Sequence, residues 1–313
     1  MSKIKSLITG GAGFIGSHLV EKLLEENHEL LVVDNLFTGN KSNISEINNI
    51  NTAELLEKEV GDDDSLSRIL NFSPDYCFHL AAQSSVTVSV ENPLLDENYN
   101  INQPLKLIEV IKETDCKRFF FSSSGGTIYG DPINIPTKEN DFGSEPASPY
   151  GKSKKKLNEH IVSIFEESDV NYSILNLANV YGPRQDPHGE AGVISIFVNR
   201  ILDGKSPIVY GTGEQTRDFI FVGDVIAAFM KCMLSEENHI LNIGSGIETS
   251  VLNLISFIDS VCGTKSEAQF MPKREGELLR SALDCSLAKE KISWEAKVSL
   301  EDGIHEVVNW VKN

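Results

Sequence analysis

The segment Thr9-Gly10-Gly11-Ala12-Gly13-Phe14-Ile15-Gly16 constrains this chain more than any other. It follows a short apolar run, IKSLIT, in which Ser6–Thr9 reads as a buried strand. After it, Gly16–Glu26 carries Leu19, Val20, Leu23 and Leu24 at helical spacing. Glycines at a strand-to-helix junction have separate uses. One permits the sharp turn, a second lets the backbone approach a pyrophosphate, and a third lets the helix pack closely on the strand. The anion then sits at the helix N-terminus, where N–H groups without intrahelical acceptors and the helix dipole favour it. A second strand, Leu30–Val33, ends at Asp34, 18 residues beyond Gly16. A carboxylate there accepts hydrogen bonds from ribose hydroxyls and repels a 2′-phosphate. No Arg or Lys stands between positions 34 and 40, so the loop reads as a site for NAD rather than NADP.

The same rhythm continues. Tyr76–Leu80 and Arg118–Ser122 read as strands, with a helix over Leu105–Ile111 between them. A helix over Tyr150–Glu166 and a strand over Tyr172–Leu177 follow. Strand and helix alternating at this pace predict βαβ units and an α/β fold with a doubly wound parallel sheet. Beyond residue 180 glycine and proline become more frequent, and shorter elements follow, including a helix over Val193–Leu202 and a strand over Phe219–Val222. This part reads as a smaller second lobe.

Composition excludes several classes. The 28 Lys and Arg against 46 Asp and Glu give a formal charge of −18, which opposes nucleic-acid binding. No apolar run approaches the ~18 residues of a membrane span, and the glycines from Gly10 onward interrupt any signal-peptide pattern. Cys77, Cys116, Cys232, Cys262 and Cys285 are odd in number, scattered and without a C-x-x-C pair. They read as buried reduced thiols of a cytoplasmic protein, and no metal site is expected.

Tyr150 and Lys154 are four apart on a predicted helix and share one face. An ammonium near a phenol stabilises the phenolate and lowers its pKa from about 10. A phenolate beside a nicotinamide can take the proton of a sugar hydroxyl. Ser122, Ser123 and Ser124 close a predicted strand at its C-terminal end, where open α/β sheets carry their ligands. The run Lys152–Lys156 is a solvated helix face apart from Lys154.

The segments TGGAGFIGSHLV, VVDNLFTG, HLAAQSSV, SSSGGTIYGDP, PYGKSK, NVYGPRQDPHGEAG and GTGEQTRDFIFVGDV resemble the extended short-chain dehydrogenase/reductases. The resemblance is nearest to their nucleotide-sugar branch, typified by UDP-glucose 4-epimerase, and runs from about residue 3 to the last turn of the chain. It implies an NAD-binding Rossmann domain over 1–180, to which the chain returns around 216–242, and a nucleotide-sugar domain over 181–313. It implies that Gly10, Gly13, Phe14, Ile15 and Gly16 hold the NAD pyrophosphate, Asp34 and Asn35 the ribose, and Asp62 the adenine amine. Leu80, Ala81 and Ala82 match the loop under the cofactor, and Asn100 an asparagine that braces the site wall. Ser124, Tyr150 and Lys154 match the catalytic residues. Asn179 and Arg217 match phosphate-binding positions, and Arg274 and Glu277 an arginine on the phosphate and an acid near the ribose. Val193 and Phe197 match positions along the nucleotide, although core packing is an equal reading of both. Ser281, seven residues after Arg274, matches a position that flanks the sugar C2 substituent.

Two departures qualify the match. Counting from FFF puts the catalytic hydroxyl at Ser124, whereas counting back from Tyr129-Gly130 puts that place at Gly125. Gly125-Gly126 is expected to absorb the extra residue as a bulge. Gly126 and Thr127 stand where nucleotide-sugar dehydratases carry Asp and Glu, which argues against water elimination. The implied activity is an NAD-dependent 4-epimerase of UDP-glucose and UDP-galactose, with UDP-GlcNAc and UDP-GalNAc as further substrates, working through a transient 4-keto sugar. A uronate epimerase or decarboxylase, and a non-catalytic NAD-binding regulatory protein, are the alternatives. The resemblance also implies a homodimer formed through helices near 97–113 and 150–167.

Overall fold

The computed structural model describes residues 3–49, 51–188, 192–273 and 278–313. The chain runs through β1 (Lys5–Thr9), α1 (Phe14–Glu25), β2 (Glu29–Val33), a 3-10 segment (Lys41–Asn49), β3 (Ala53–Leu56), α2 (Asp63–Phe72) and β4 (Tyr76–His79). It continues through α3 (Val86–Glu91), α4 (Pro93–Glu97), a π-turn (Asn98–Asn102), α5 (Gln103–Lys112), β5 (Arg118–Ser124), α6 (Pro149–Phe165) and β6 (Asn171–Leu177). Then follow β7 (Asn179–Tyr181), α7 (Val193–Leu202), β8 (Ile208–Tyr210), β9 (Thr216–Phe221), α8 (Val222–Met233), β10 (His239–Ile243) and β11 (Glu248–Ser250). The last elements are α9 (Val251–Cys262), β12 (Gln269–Met271), α10 (Ser286–Ile292) and α11 (Leu300–Lys312).

Seven strands form one sheet in the order β10-β6-β5-β4-β1-β2-β3. The pairs β1–β2, β2–β3, β1–β4 and β4–β5 are parallel. This is the doubly wound arrangement expected from the sequence. Strand order reverses between β1 and β4, which is where such sheets bind ligands beyond their C-terminal ends.

The described chain divides into two compact units. The first holds residues 1–123, 148–175 and 229–240, and the second holds 124–147, 176–228 and 241–313. In the first unit the run Phe119-Phe120-Phe121 shows why the centre of β5 is apolar on both faces. Side chains alternate across a strand, and both faces here are covered. Phe120 stacks on Phe78 at 4.3 Å and meets Phe229 edge-on. Phe119 and Phe121 face the other way, into a cluster with Leu107, Ile108, Leu157, Ile161 and Phe165. In the second unit Phe197, Val198, Leu254, Ile258, Ile304 and Val307 form a separate core. Buried Trp294 donates to the Asp224 carbonyl, and the Asp224 carboxylate accepts the N–H groups of Lys297 and Val298.

Helix starts follow capping chemistry. Asp62, Ser85, Asn92, Ser148, Ser250 and Ser299 each accept a first-turn N–H. The expected strand over Phe219–Val222 ends at Phe221, and Val222 opens α8. Helix α1 begins at Phe14 because Gly13 is its N-cap. Among the described residues, no helix is long and apolar enough to cross a membrane. All five cysteines are free; Cys77, Cys116 and Cys232 are buried, while Cys262 and Cys285 are only half-buried, fewer than the sequence suggested.

Arg118, on the edge of the Phe run, is buried at 2% exposure. Its guanidinium donates to the carbonyls of Tyr172, Ser235 and Glu237 and to Ser173 Oγ. Arg118→Met removes one donor from each of those acceptors. The urea unfolding midpoint is expected to fall by the equivalent of about 2–4 kcal/mol, the cost of a few unsatisfied buried groups.

Candidate active site

Helix α6 sets the position of Tyr150 and Lys154. Ser148 caps it and Pro149 occupies its first turn, where a missing N–H costs nothing. Leu157, Ile161 and Phe165 then anchor the helix in the core. Positions 150, 154 and 157 fall on one face, so the anchoring turns carry Lys154 inward. Lys154 is 3% exposed. Its Nζ donates to the Ser122 carbonyl at 3.0 Å, lies 4.6 Å from the centre of the Phe121 ring and 5.8 Å from that of Tyr150. Burial pulls the Lys154 ammonium down to about 7, opposed by the Asp96 carboxylate. Lys152 and Lys156 are exposed and Lys155 is half-buried, so Lys154 is the inward member of the lysine run.

The glycine loop is tight. Gly10 has φ +72°, and a Cβ on it would lie 2.7 Å from Ala81 N. A Cβ on Gly16 would lie 2.1 Å from the Gly10 carbonyl oxygen. A Cβ on Gly13 would meet only that same oxygen, at 3.2 Å, leaving its outer side open to a close ligand. No side chain caps α1, and its first turn holds no acidic residue. The N–H groups of Phe14, Ile15 and Gly16 therefore lie in a first turn without intrahelical acceptors. Asp34 is buried at the end of β2 and accepts from Ala12 N and Leu36 N at 2.9 and 2.8 Å. Burial pushes its carboxyl up, and the Leu36, Ala12 and Gly13 N–H groups pull it back. A cradle closed to any Cβ on two sides and open at a bare helix N-terminus, with a carboxylate one strand away, fits a dinucleotide.

The remaining first-unit candidates take definite places. Asn35 is exposed and accepts from Phe37 N. Asp62 is exposed, caps α2 and lies 3.9 Å from Lys58 Nζ. Leu80, Ala81 and Ala82 follow β4; Leu80 N donates to the Thr9 carbonyl and Ala81 N to Thr9 Oγ1. Asn100 is 2% exposed within the π-turn, a distortion frequent at functional sites. Its Nδ2 donates to the Gln83 carbonyl and to Asp96 Oδ1, while its Oδ1 has no hydrogen-bond partner among the described residues. Sequence reading missed Asp96, Gln83 and Ser153, which share this buried polar network. The signal available was Asp96 at four residues before Asn100, on the same helical face.

In the second unit, the Ser124 carbonyl accepts from Thr127 N and Ile128 N, so Gly125 and Gly126 form a turn rather than the expected bulge. A Cβ on Gly125 would meet Leu283 Cδ1 at 2.5 Å. Asn179, on β7, is half-buried and faces Gly126. Arg217, on β9, donates to the carbonyls of Thr216 and Leu278 at 2.7 and 3.0 Å. Val193 is half-buried at the start of α7, and Phe197 sits in the core of the second unit. Ser281 is buried, directly after Arg280, which pairs with Glu248. Arg274 and Glu277 lie outside the described residues. A cavity of about 180 Å³ is lined by Tyr210, Gly211, Thr212, Gln215, Lys273, Leu278 and Leu279, none of them anticipated.

This fold and these sites define a dinucleotide-binding protein of the short-chain dehydrogenase type. A model of the NAD dependent epimerase/dehydratase family matches residues 6–244, and the chain belongs to that family. It is 38% identical to the UDP-glucose 4-epimerase of Mycolicibacterium smegmatis, over 99% of each chain. The structure of UDP-glucose 4-epimerase from Thermotoga maritima with UDP-glucose superposes with a TM-score of 0.94, at 41% identity and 99% of each chain. The UDP-N-acetylglucosamine 4-epimerase of Methanobrevibacter ruminantium, in complex with UDP-N-acetylmuramic acid, matches at TM-score 0.93 and 34% identity. That match covers 100% of this chain and 99% of that one.

The burial of Lys154 has a measurable signature. An unfolded chain keeps this proton up to 10.5, the folded one only to about 7. Between those values the unfolded state binds more protons, so stability rises with pH across that window. The contribution has a ceiling on the order of 5 kcal/mol. Lys154→Met is expected to flatten this rise in urea titrations run at successive pH values. An equally steep rise in the variant would place the titration elsewhere.

Proposed function

We propose that the protein is an NAD-dependent nucleoside-diphosphate-sugar 4-epimerase. The single observation that carries this reading is the buried Lys154 ammonium held against the Tyr150 ring on α6, at the C-terminal end of the sheet. The activities of the relatives support it. Gly10, Gly13, Phe14, Ile15, Gly16, Asp34, Asn35, Asp62, Leu80, Ala81, Ala82 and Asn100 would hold NAD, which supplies reversible hydride acceptance from the sugar C4 when bound. Tyr150, as phenolate, takes the proton from O4 and returns it to the same oxygen after the sugar presents its other face. Lys154 holds the phenolate charge, and Ser124 hydrogen-bonds the reacting oxygen. Asn179, Val193, Arg217, Arg274 and Glu277 would bind the nucleotide, Arg217 through charge-assisted bonds to phosphate.

This reading assigns the NAD-binding role to residues 1–180, with the return around 216–242, and nucleotide-sugar binding to 181–313. It includes a homodimer through the helices near 97–113 and 150–167, and a cytoplasmic location. Tyr150→Phe deletes one oxygen and little volume. Turnover of UDP-sugars is expected to fall at least 10²–10⁴-fold, on the order assigned to positioned acid–base groups. NAD and UDP binding, read by calorimetry, should hardly change. A Phe variant with near wild-type kcat sinks the mechanism.

Substrate breadth turns on Ser281. A serine where a tyrosine would flank C2 leaves room comparable to an acetamido group, so UDP-GlcNAc and UDP-GalNAc are substrates beside UDP-glucose and UDP-galactose. Ser281→Tyr is expected to remove the N-acetylated turnover by steric exclusion and to spare the unsubstituted pair. Absence of N-acetylated turnover in the wild type, or its survival in the Tyr variant, refutes this.

A further inference from the structure

Asp96 is fully buried, at 0% exposure, in a short helix that sequence reading left unassigned. An isolated carboxylate in such a place is costly unless it is hydrogen-bonded and paired. This one accepts three side-chain donors. Gln83 Nε2 and Asn100 Nδ2 reach Oδ1 at 3.0 and 2.8 Å, and Ser153 Oγ reaches Oδ2 at 2.6 Å. All three side chains turn a polar atom toward the Asp96 carboxylate oxygens. Ser153 directly precedes Lys154, so the network grips α6 at the turn that presents the ammonium. Helix capping and core packing already hold α6, and neither needs a charge.

We infer that Asp96 is a positioning residue for the Tyr150–Lys154 pair, whose charge biases their shared proton toward the lysine. The inference rests on the epimerase reading above. With one proton between them, the pair exists either as phenolate and ammonium or as phenol and amine. Only the first form is ready to take a proton from a sugar hydroxyl. A negative charge that acts on Lys154 stabilises the ammonium and selects that form. Among the described residues, the other neighbours do not supply this charge. His79, on β4, is pulled to about 3 by burial and is neutral at working pH. Strand β5 offers a carbonyl, from Ser122, and the face of Phe121. Tyr150 is the partner itself. The Asp96 carboxylate raises the Lys154 pKa against the lowering effect of burial.

The test is the phenolate ultraviolet absorbance of the holoprotein across pH, with the Tyr150→Phe spectrum subtracted to isolate Tyr150. Asp96→Asn keeps the shape and removes the charge. The Tyr150 phenolate at neutral pH is expected to fall at least about twofold. The missing signal should return in a second, alkaline step. The kcat should fall by a similar factor with KM little changed, and both limbs of its pH profile should move toward acid. Ser153→Ala removes one hydrogen bond and keeps the charge, so it should retain the wild-type phenolate fraction. An unchanged phenolate signal in Asp96→Asn, or an equal loss in Ser153→Ala, overturns the proposal and leaves Asp96 a structural group. If the wild type turns over no nucleotide sugar, the functional reading fails, while the absorbance titration still decides the role of Asp96.

Discussion

The first unit depends on keeping one ammonium out of water. Among the described residues, Lys154 has a single short bond, to the Ser122 carbonyl, and two aromatic faces around it. Aromatic faces attract a cation through their quadrupoles but replace only part of its hydration. The rest of the helix must therefore hold the side chain in place at a cost. The apolar positions Leu157, Ile161 and Phe165 do so, because they pack on Phe119 and the α5 side chains. A surface lysine needs no such framework, which is why its neighbours Lys152 and Lys156 are free to be solvated. The desolvation of the buried cation and the packing of α6 are two sides of one arrangement.

The glycine loop imposes the second constraint, and it is steric rather than electrostatic. Gly16 stands where a Cβ would enter the Gly10 carbonyl, and Gly10 where one would enter the Ala81 backbone. The two glycines thus bring β1, α1 and the segment after β4 together around the point where strand order reverses. Asp34 closes the same region from β2 by taking the Ala12 N–H. The carboxylate organises the loop by the same acceptor chemistry through which it would meet a ribose, so loop shape and ribose recognition would be coupled.

What was legible in the sequence follows from how local each signal is. The strands β1, β2, β4, β5 and β6 and the helices α1, α5, α6 and α7 announce themselves through periodicity. So did the lysine chosen from a run of four, because its spacing from Tyr150 singled it out. The helices α3 and α4 did not. Their sequence, VTVSVENPLLDE, mixes β-branched and turn residues, and only the caps Ser85 and Asn92 mark their starts. The network of Asp96, Gln83, Asn100 and Ser153 was equally hidden. It joins residues from three segments, so the four-residue spacing of Asp96 and Asn100 shows only part of it. At the end of β5 the extra glycine was visible, but its geometry was not. A turn forms because the Ser124 carbonyl takes two successive N–H groups, and Gly125 is required by the nearness of Leu283.

Proton accounting separates the proposed reaction from its neighbours in the family. Inverting a carbon through a ketone removes one proton from one oxygen and returns it to that oxygen. A single base that is also an acid suffices, and a phenol poised by an ammonium is such a group. Eliminating water needs more, because the departing hydroxyl must be protonated while a carbon acid is deprotonated elsewhere. That work calls for a further acid and base near the end of β5. This chain has Gly126 and Thr127 there, and the Thr127 hydroxyl donates to the Ser124 carbonyl. Space does not forbid an acid at 126, since a Cβ would meet Asn179 at an ordinary 3.5 Å. A Cβ at 126 is thus not barred by packing, and without carboxylates at 126 and 127 the proposed reaction would rest its proton transfers on Tyr150.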